Sequence, residues 1–120
     1  MALFDLTDRE KDIVLRCIKA AANGPFIPDC EFGILFGVTR QELCDIAARW
    51  PAVDDVGDRQ VARAINDSMN NLLGYPHGEE EAWDEYIEVT RGVVRRVFRK
   101  WKDERIKTLH FSYSVSTPIR

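Results

Sequence analysis

Apolar residues recur along most of this chain at the three-and-four spacing that gathers them on one side of a helix. The longest such run is Trp83, Tyr86, Ile87, Thr90, Val93, Val94, Val97, Phe98 and Trp101. It predicts one unbroken amphipathic helix over 79–105, spanning roughly 40 Å at about 1.5 Å per residue. Four shorter stripes precede it. Thr7-Asp8-Arg9-Glu10 is a capping box, and Ile13, Val14, Cys17, Ile18 and Ala21 follow it as a helix that ends near Ala22 at Asn23-Gly24. Pro25 and Pro28 bias their predecessors away from helix, so Phe26 and Ile27 between them should plug into the core. Asp29 can cap a short helix through Phe36. Thr39-Arg40-Gln41-Glu42 is a second capping box, opening a helix with Leu43, Ile46, Ala47 and Trp50 on one side and Pro51 at its end. An acidic loop, residues 54–58, leads to a fourth helix over 58–73 with Val61, Ala62, Ile65, Met69, Leu72 and Leu73 as its stripe.

The period then changes. Leu109, Phe111, Tyr113 and Val115 alternate with His110, Ser112, Ser114 and Ser116, which is a strand signature. A lone strand needs a partner: residues 2–6, its copy in a second subunit, or another protein; without one it is disordered. The expected fold is therefore all-α, a single-domain bundle of about five helices over 1–107 with a strand-like or disordered tail over 108–120. The long C-terminal helix is its spine, and Trp50, Trp83, Trp101, Phe32, Phe36 and Phe98 lead its core.

Charge sharpens this picture. The 120 residues carry a net charge of −3, but the sign is segregated. Residues 1–78 hold 8 basic and 12 acidic groups, residues 79–90 hold 6 acids and no base, and residues 91–120 hold 9 basic and 2 acidic groups. Within one continuous helix, acid at the start and base at the end both complement the helix dipole. Part of the segregation is therefore explained by helix stability alone.

Three constellations are candidates for chemistry. Residues 29–50 resemble the helix-turn-helix pattern of DNA-binding proteins. Gly33 stands four residues before the turn glycine Gly37, Val38 points inward, Thr39 caps the next helix, and Phe32, Phe36, Leu43 and Ile46 lock the pair. The resemblance implies that Arg40 and Gln41, each able to make paired hydrogen bonds to a base edge, would read DNA. Glu42 and Asp45 cancel the charge of Arg40 and Arg49, which leaves the second helix little attraction for phosphate. The second constellation is Arg91, Arg95, Arg99 and Lys102, a basic row on one flank of the long helix, suited to an acidic protein surface or to phosphates. The third is acidic: Asp54, Asp55 and Asp58, and Glu79 to Glu81 beside His77. Its spacing does not follow a calcium loop, and no metal or other cofactor is expected.

Catalysis finds little support. There is no phosphate-cradling glycine loop and no suggestive grouping of Ser, His and Asp. Cys17, Cys30 and Cys44 are odd in number and far apart, which suits neither a disulfide framework nor a zinc site. With no apolar run of membrane length and no evident secretory signal, a reducing cytoplasm is expected. The reading favoured is a non-catalytic, cytoplasmic protein-binding module of bacterial character, such as an inhibitor or immunity-type partner. The alternatives are a helix-turn-helix regulator on residues 29–50 and a structural homodimer joined through residues 108–120.

Overall fold

Both capping boxes form. Thr7 Oγ1 accepts the Glu10 N–H at 3.1 Å while Glu10 Oε1 accepts the Thr7 N–H at 2.8 Å. Thr39 and Glu42 repeat the exchange at 3.1 and 2.7 Å. In the computed structural model, which describes residues 2–116, these caps open α1 (Asp8–Asn23) and α3 (Arg40–Arg49). Between them lies α2 (Asp29–Leu35), and α4 (Arg59–Gly74) follows, capped by Asp58 through the N–H groups of Gln60 and Val61. A 3-10 turn over Ala2–Asp5 precedes α1. Gly24 ends α1 because nothing larger fits: an added Cβ would lie 2.6 Å from the Ala20 carbonyl and 2.9 Å from the Phe26 ring.

The expected helix over 79–105 is two helices, α5 (Glu80–Tyr86) and α6 (Arg91–Ser116). Between them Glu88 adopts φ +66°, in the left-handed region, and Thr90 Oγ1 accepts the Val93 N–H at 3.3 Å as a new cap. Left-handed backbone in a non-glycine residue costs roughly 1–2 kcal/mol, and a threonine cap returns about 1 kcal/mol. The remainder comes from tertiary structure. The turn brings the Val89 carbonyl to 2.7 Å from the Trp83 indole nitrogen, which donates to it, and buries both Trp83 and Ile87. Spacing alone missed the break because Trp83, Ile87, Val94 and Trp101 fall on one side of either arrangement.

The tail is also corrected. The backbone of α6 stays helical to Ser116, so residues 108–116 do not form a strand, and the last four residues lie outside the described ones. Continuing a helix satisfies each backbone group within the segment, whereas a strand must find an edge.

The spine is α1 rather than the C-terminal helix. It packs against α3, α4, α5 and α6, and its Val14, Cys17, Ile18, Ala20 and Ala21 are fully buried. Helix α6 lies against α4, α1 and the N-terminal turn. The expected core aromatics Trp83, Trp101, Phe32, Phe36 and Phe98 are buried; Trp50 is half-buried. Asp55, wholly enclosed, binds the ends together: its Oδ2 accepts the Leu3 N–H at 3.1 Å and the Trp101 indole N–H at 2.8 Å.

Candidate functional site

The structure separates the charged candidates into those bound within the fold and those facing outward. Arg40 belongs to the first group. Its guanidinium donates to the carbonyls of Ala21 (2.9 Å), Ala22 (3.2 Å) and Ile27, pairs with Asp29 at 3.1 Å, and lies 4.3 Å above the Phe32 ring. It thereby satisfies the open carbonyls at the C-terminus of α1 and fastens the proline connection to α3. Gln41 is exposed, and among the described residues its side chain bonds only to Asp45, one turn along its own helix, at 2.9 Å. An added Cβ on Gly33 would meet nothing within 4 Å, so no close helix approach explains that glycine. The residues that resemble a base-reading pair are thus one structural clamp and one ordinary surface side chain.

Asp54, Asp55, Asp58 and Glu80 of the acidic candidates are bound in the same way. Asp54 Oδ1 accepts the N–H groups of Gly57 and Val56, and these backbone bonds, that of Gly57 foremost, lower its pKa. Asp55 is the buried link described above, and Asp58 caps α4. His77 Nδ1 accepts the Glu79 N–H at 2.9 Å, and Glu80 pairs with Arg91 at 2.6 Å. Among the described residues no three His, Cys, Asp or Glu side chains gather as a metal site. Cys17 is wholly buried, and burial pushes its thiol up to about 12, whereas Cys30 is exposed.

The basic row divides. Arg91 is half-buried: besides Glu80 it reaches the Leu72 carbonyl at 3.5 Å and stacks 4.6 Å above the Trp83 ring. It closes the α5–α6 turn. Lys100, off the row, pairs with Glu10 at 2.8 Å. Arg95 and Arg99, together with Arg96, are exposed and have no ion-pair or hydrogen-bond partner among the described residues. Lys102 rests 4.3 Å above the Phe98 ring, with its ammonium on the rim of a groove between α6 and α4.

That groove has a volume of about 410 Å³. Ala62 and Trp101 supply its apolar lining, Arg59 and Arg63 stand along α4, and Lys102 and Arg105 stand along α6. None of its lining residues is acidic. Other hollows mix the signs: Glu10 lies with Arg9, Arg96 and Lys100 in one, and Asp12 and Glu85 with Arg16 and Lys19 in another. Sequence reasoning missed Arg59, Arg63 and Arg105. The first two recur at i and i+4 beside the stripe of α4, but their meeting with α6 follows from packing alone.

The helix break removes one explanation of the exposed row. Because α6 begins at Arg91, its first turn contains no acid, and Arg95, Arg96 and Arg99 lie in its N-terminal half. Base there does not complement the dipole. Arg95 and Arg99 are four residues apart, as are Arg59 and Arg63, and like charges at that spacing destabilise a helix by about 0.2–0.5 kcal/mol per pair. Asp103 and Asp67 stand four residues after Arg99 and Arg63, but none of these cations forms an ion pair among the described residues.

No helix among the described residues is long and apolar enough to cross a membrane. Comparison with family models, curated proteins and solved structures finds no match to this chain.

Proposed function

We propose that this chain is a non-catalytic, cytoplasmic protein-binding module, of the inhibitor or immunity type, that grips an acidic surface of another protein. Arg95 and Arg99 are the first contacts, Arg96 extends them, and Lys102 carries the surface toward α4. The observation behind this reading is the contrast between the bound cations, Arg16, Arg40, Arg91 and Lys100, and the unpaired row on α6. Complementary potentials of this kind speed encounter and select partners. The commitment of Arg40 to three carbonyls weighs against the regulator reading, because that side chain is not free to reach a base.

The test is affinity capture from native extract with the full chain and with a charge-reversed variant carrying Arg95→Glu and Arg99→Glu. A specific protein should be recovered by the first form, lost with the second, and released by salt. Recovery of the same proteins by both forms would exclude the α6 row as the interface. Tighter binding to duplex DNA than to any recovered protein would replace the proposal with nucleic-acid binding.

A further inference from the structure

We infer that the α4–α6 groove is the seat for an acidic amphipathic helix of the partner, with an apolar side chain inserted between Arg59 and Arg63 on α4 and Lys102 on α6. This deepens the reading above and rests on it. Four observations carry it. The groove presents Arg59 and Arg63 on one wall and Lys102 on the other, beside Arg105, whose Nε donates to the Asp55 carbonyl at 3.3 Å, with no acid in the lining. Ala62 and the 2%-exposed Trp101 form its apolar floor, which a purely anionic ligand would leave uncovered. Ile106 at the lip is 64% exposed, on the same helix flank as the unpaired arginines. The volume of about 410 Å³ lies within the roughly 300–1,000 Å³ typical of binding pockets.

The walls decide the form of the occupant. Both are helices whose backbone groups are bonded internally, so neither offers an edge to an added strand. An incoming segment must satisfy its own backbone, which a helix does. A small anion is a poorer fit. The N-terminus of α4, where an anion would otherwise settle, is already closed by Asp58 through the N–H groups of Gln60 and Val61. A helix with acids flanking an apolar stripe matches both the cations and the lining.

The probe is a fluorescein-labelled peptide of about 14 residues with Leu at i, i+3, i+4 and i+7 and Glu elsewhere, compared with polyglutamate of equal length by fluorescence anisotropy. The full chain should prefer the Leu–Glu peptide by about tenfold or more. Ile106→Ser, at an exposed position, should erase most of that preference and leave polyglutamate binding unchanged. Arg63→Glu with Lys102→Glu should weaken the Leu–Glu peptide more than polyglutamate. Arg95→Glu with Arg99→Glu should weaken both peptides alike. Equal binding of the two peptides, unaltered by Ile106→Ser, would overturn the groove while leaving the α6 row intact. No binding of either peptide at low salt, or tighter binding of a duplex oligonucleotide, would overturn both.

Discussion

Helices α5 and α6 arise from one stretch of apolar periodicity, carry opposite charge, and use that charge in opposite ways. The acids of α5 have structural work nearby. Glu80 and Glu81 occupy its first turn, where negative charge suits the dipole. Glu80 holds Arg91, Glu85 shares a hollow with Arg16 and Lys19, and Glu88, in the turn just after α5, holds Arg16. Arg95, Arg96 and Arg99 of α6 sit at no favourable helix end and form no ion pair among the described residues, although Arg96 shares a hollow with Glu10. Charge that stabilises a fold has a local counterpart. Charge that lacks one is the ground of the proposal that a partner protein answers it.

The largest expected effect tests whether α5 is a built part of the fold. Trp83→Ala removes a buried indole, its hydrogen bond to Val89 and the surface beneath Arg91. Urea unfolding should show a loss of about 3–5 kcal/mol. A variant as stable as the parent would mean that α5 does not dock as described.

Arg40→Ala comes next. It leaves three backbone carbonyls without their donor and should lower stability by about 1–3 kcal/mol. Arg99→Ala, with no ion pair to lose among the described residues, should stay within about 0.5 kcal/mol of the parent. Equal effects at the two sites would erase the distinction between bound and unbound cations.

Glu88→Gly sharpens the comparison by its sign. At φ +66° glycine is free of the strain a side chain suffers, so the variant should gain up to about 1 kcal/mol after losing the exposed pair with Arg16. If α5 and α6 were one continuous helix, the same change would instead cost about 1 kcal/mol. Thermal melting distinguishes the two outcomes.

The smallest effect concerns pH. The Lys100 hydrogen bond, followed by the Thr7 backbone, holds the Glu10 carboxyl below its ordinary value of 4.5. The unfolded chain therefore binds this proton more readily, and the stabilisation is present above about pH 4.5 and lost as pH falls through the lower folded value. Glu10→Gln preserves the capping geometry and removes the charge. It should lose less than about 1 kcal/mol at neutral pH and match the parent in strong acid. A difference that persists unchanged into acid would assign the effect to something other than the ion pair.

Local interactions were legible along much of the chain. Thr7 with Glu10 and Thr39 with Glu42 announce helix starts because each pair needs only a few neighbouring residues to make its bonds, whereas Asp29, expected to cap α2, lies inside that helix, which has no side-chain cap. The buried stripe of α4 follows from spacing in the same way. The turn at Glu88 was less legible: Thr90 is a possible cap, but a left-handed glutamate is not a local preference. It exists because Trp83, Val89 and Ile87 gain contacts when α5 turns against α1. The same limit applies to the site. Arg95 and Arg99 could be placed on one flank from their numbers, whereas Arg40 and Arg91 look equally available until their partners are seen.

Taken alone, the order of residues determined the helical class, the two capping boxes, most of the apolar stripes and the segregation of charge, because these depend on interactions within a few turns. Tertiary structure decided which helix is central, where the C-terminal periodicity breaks, which cations are bound, and that Arg59 and Arg63 face Lys102 and Arg105. Those outcomes depend on groups distant in sequence competing for the same buried surface and carbonyls, a competition that periodicity does not encode.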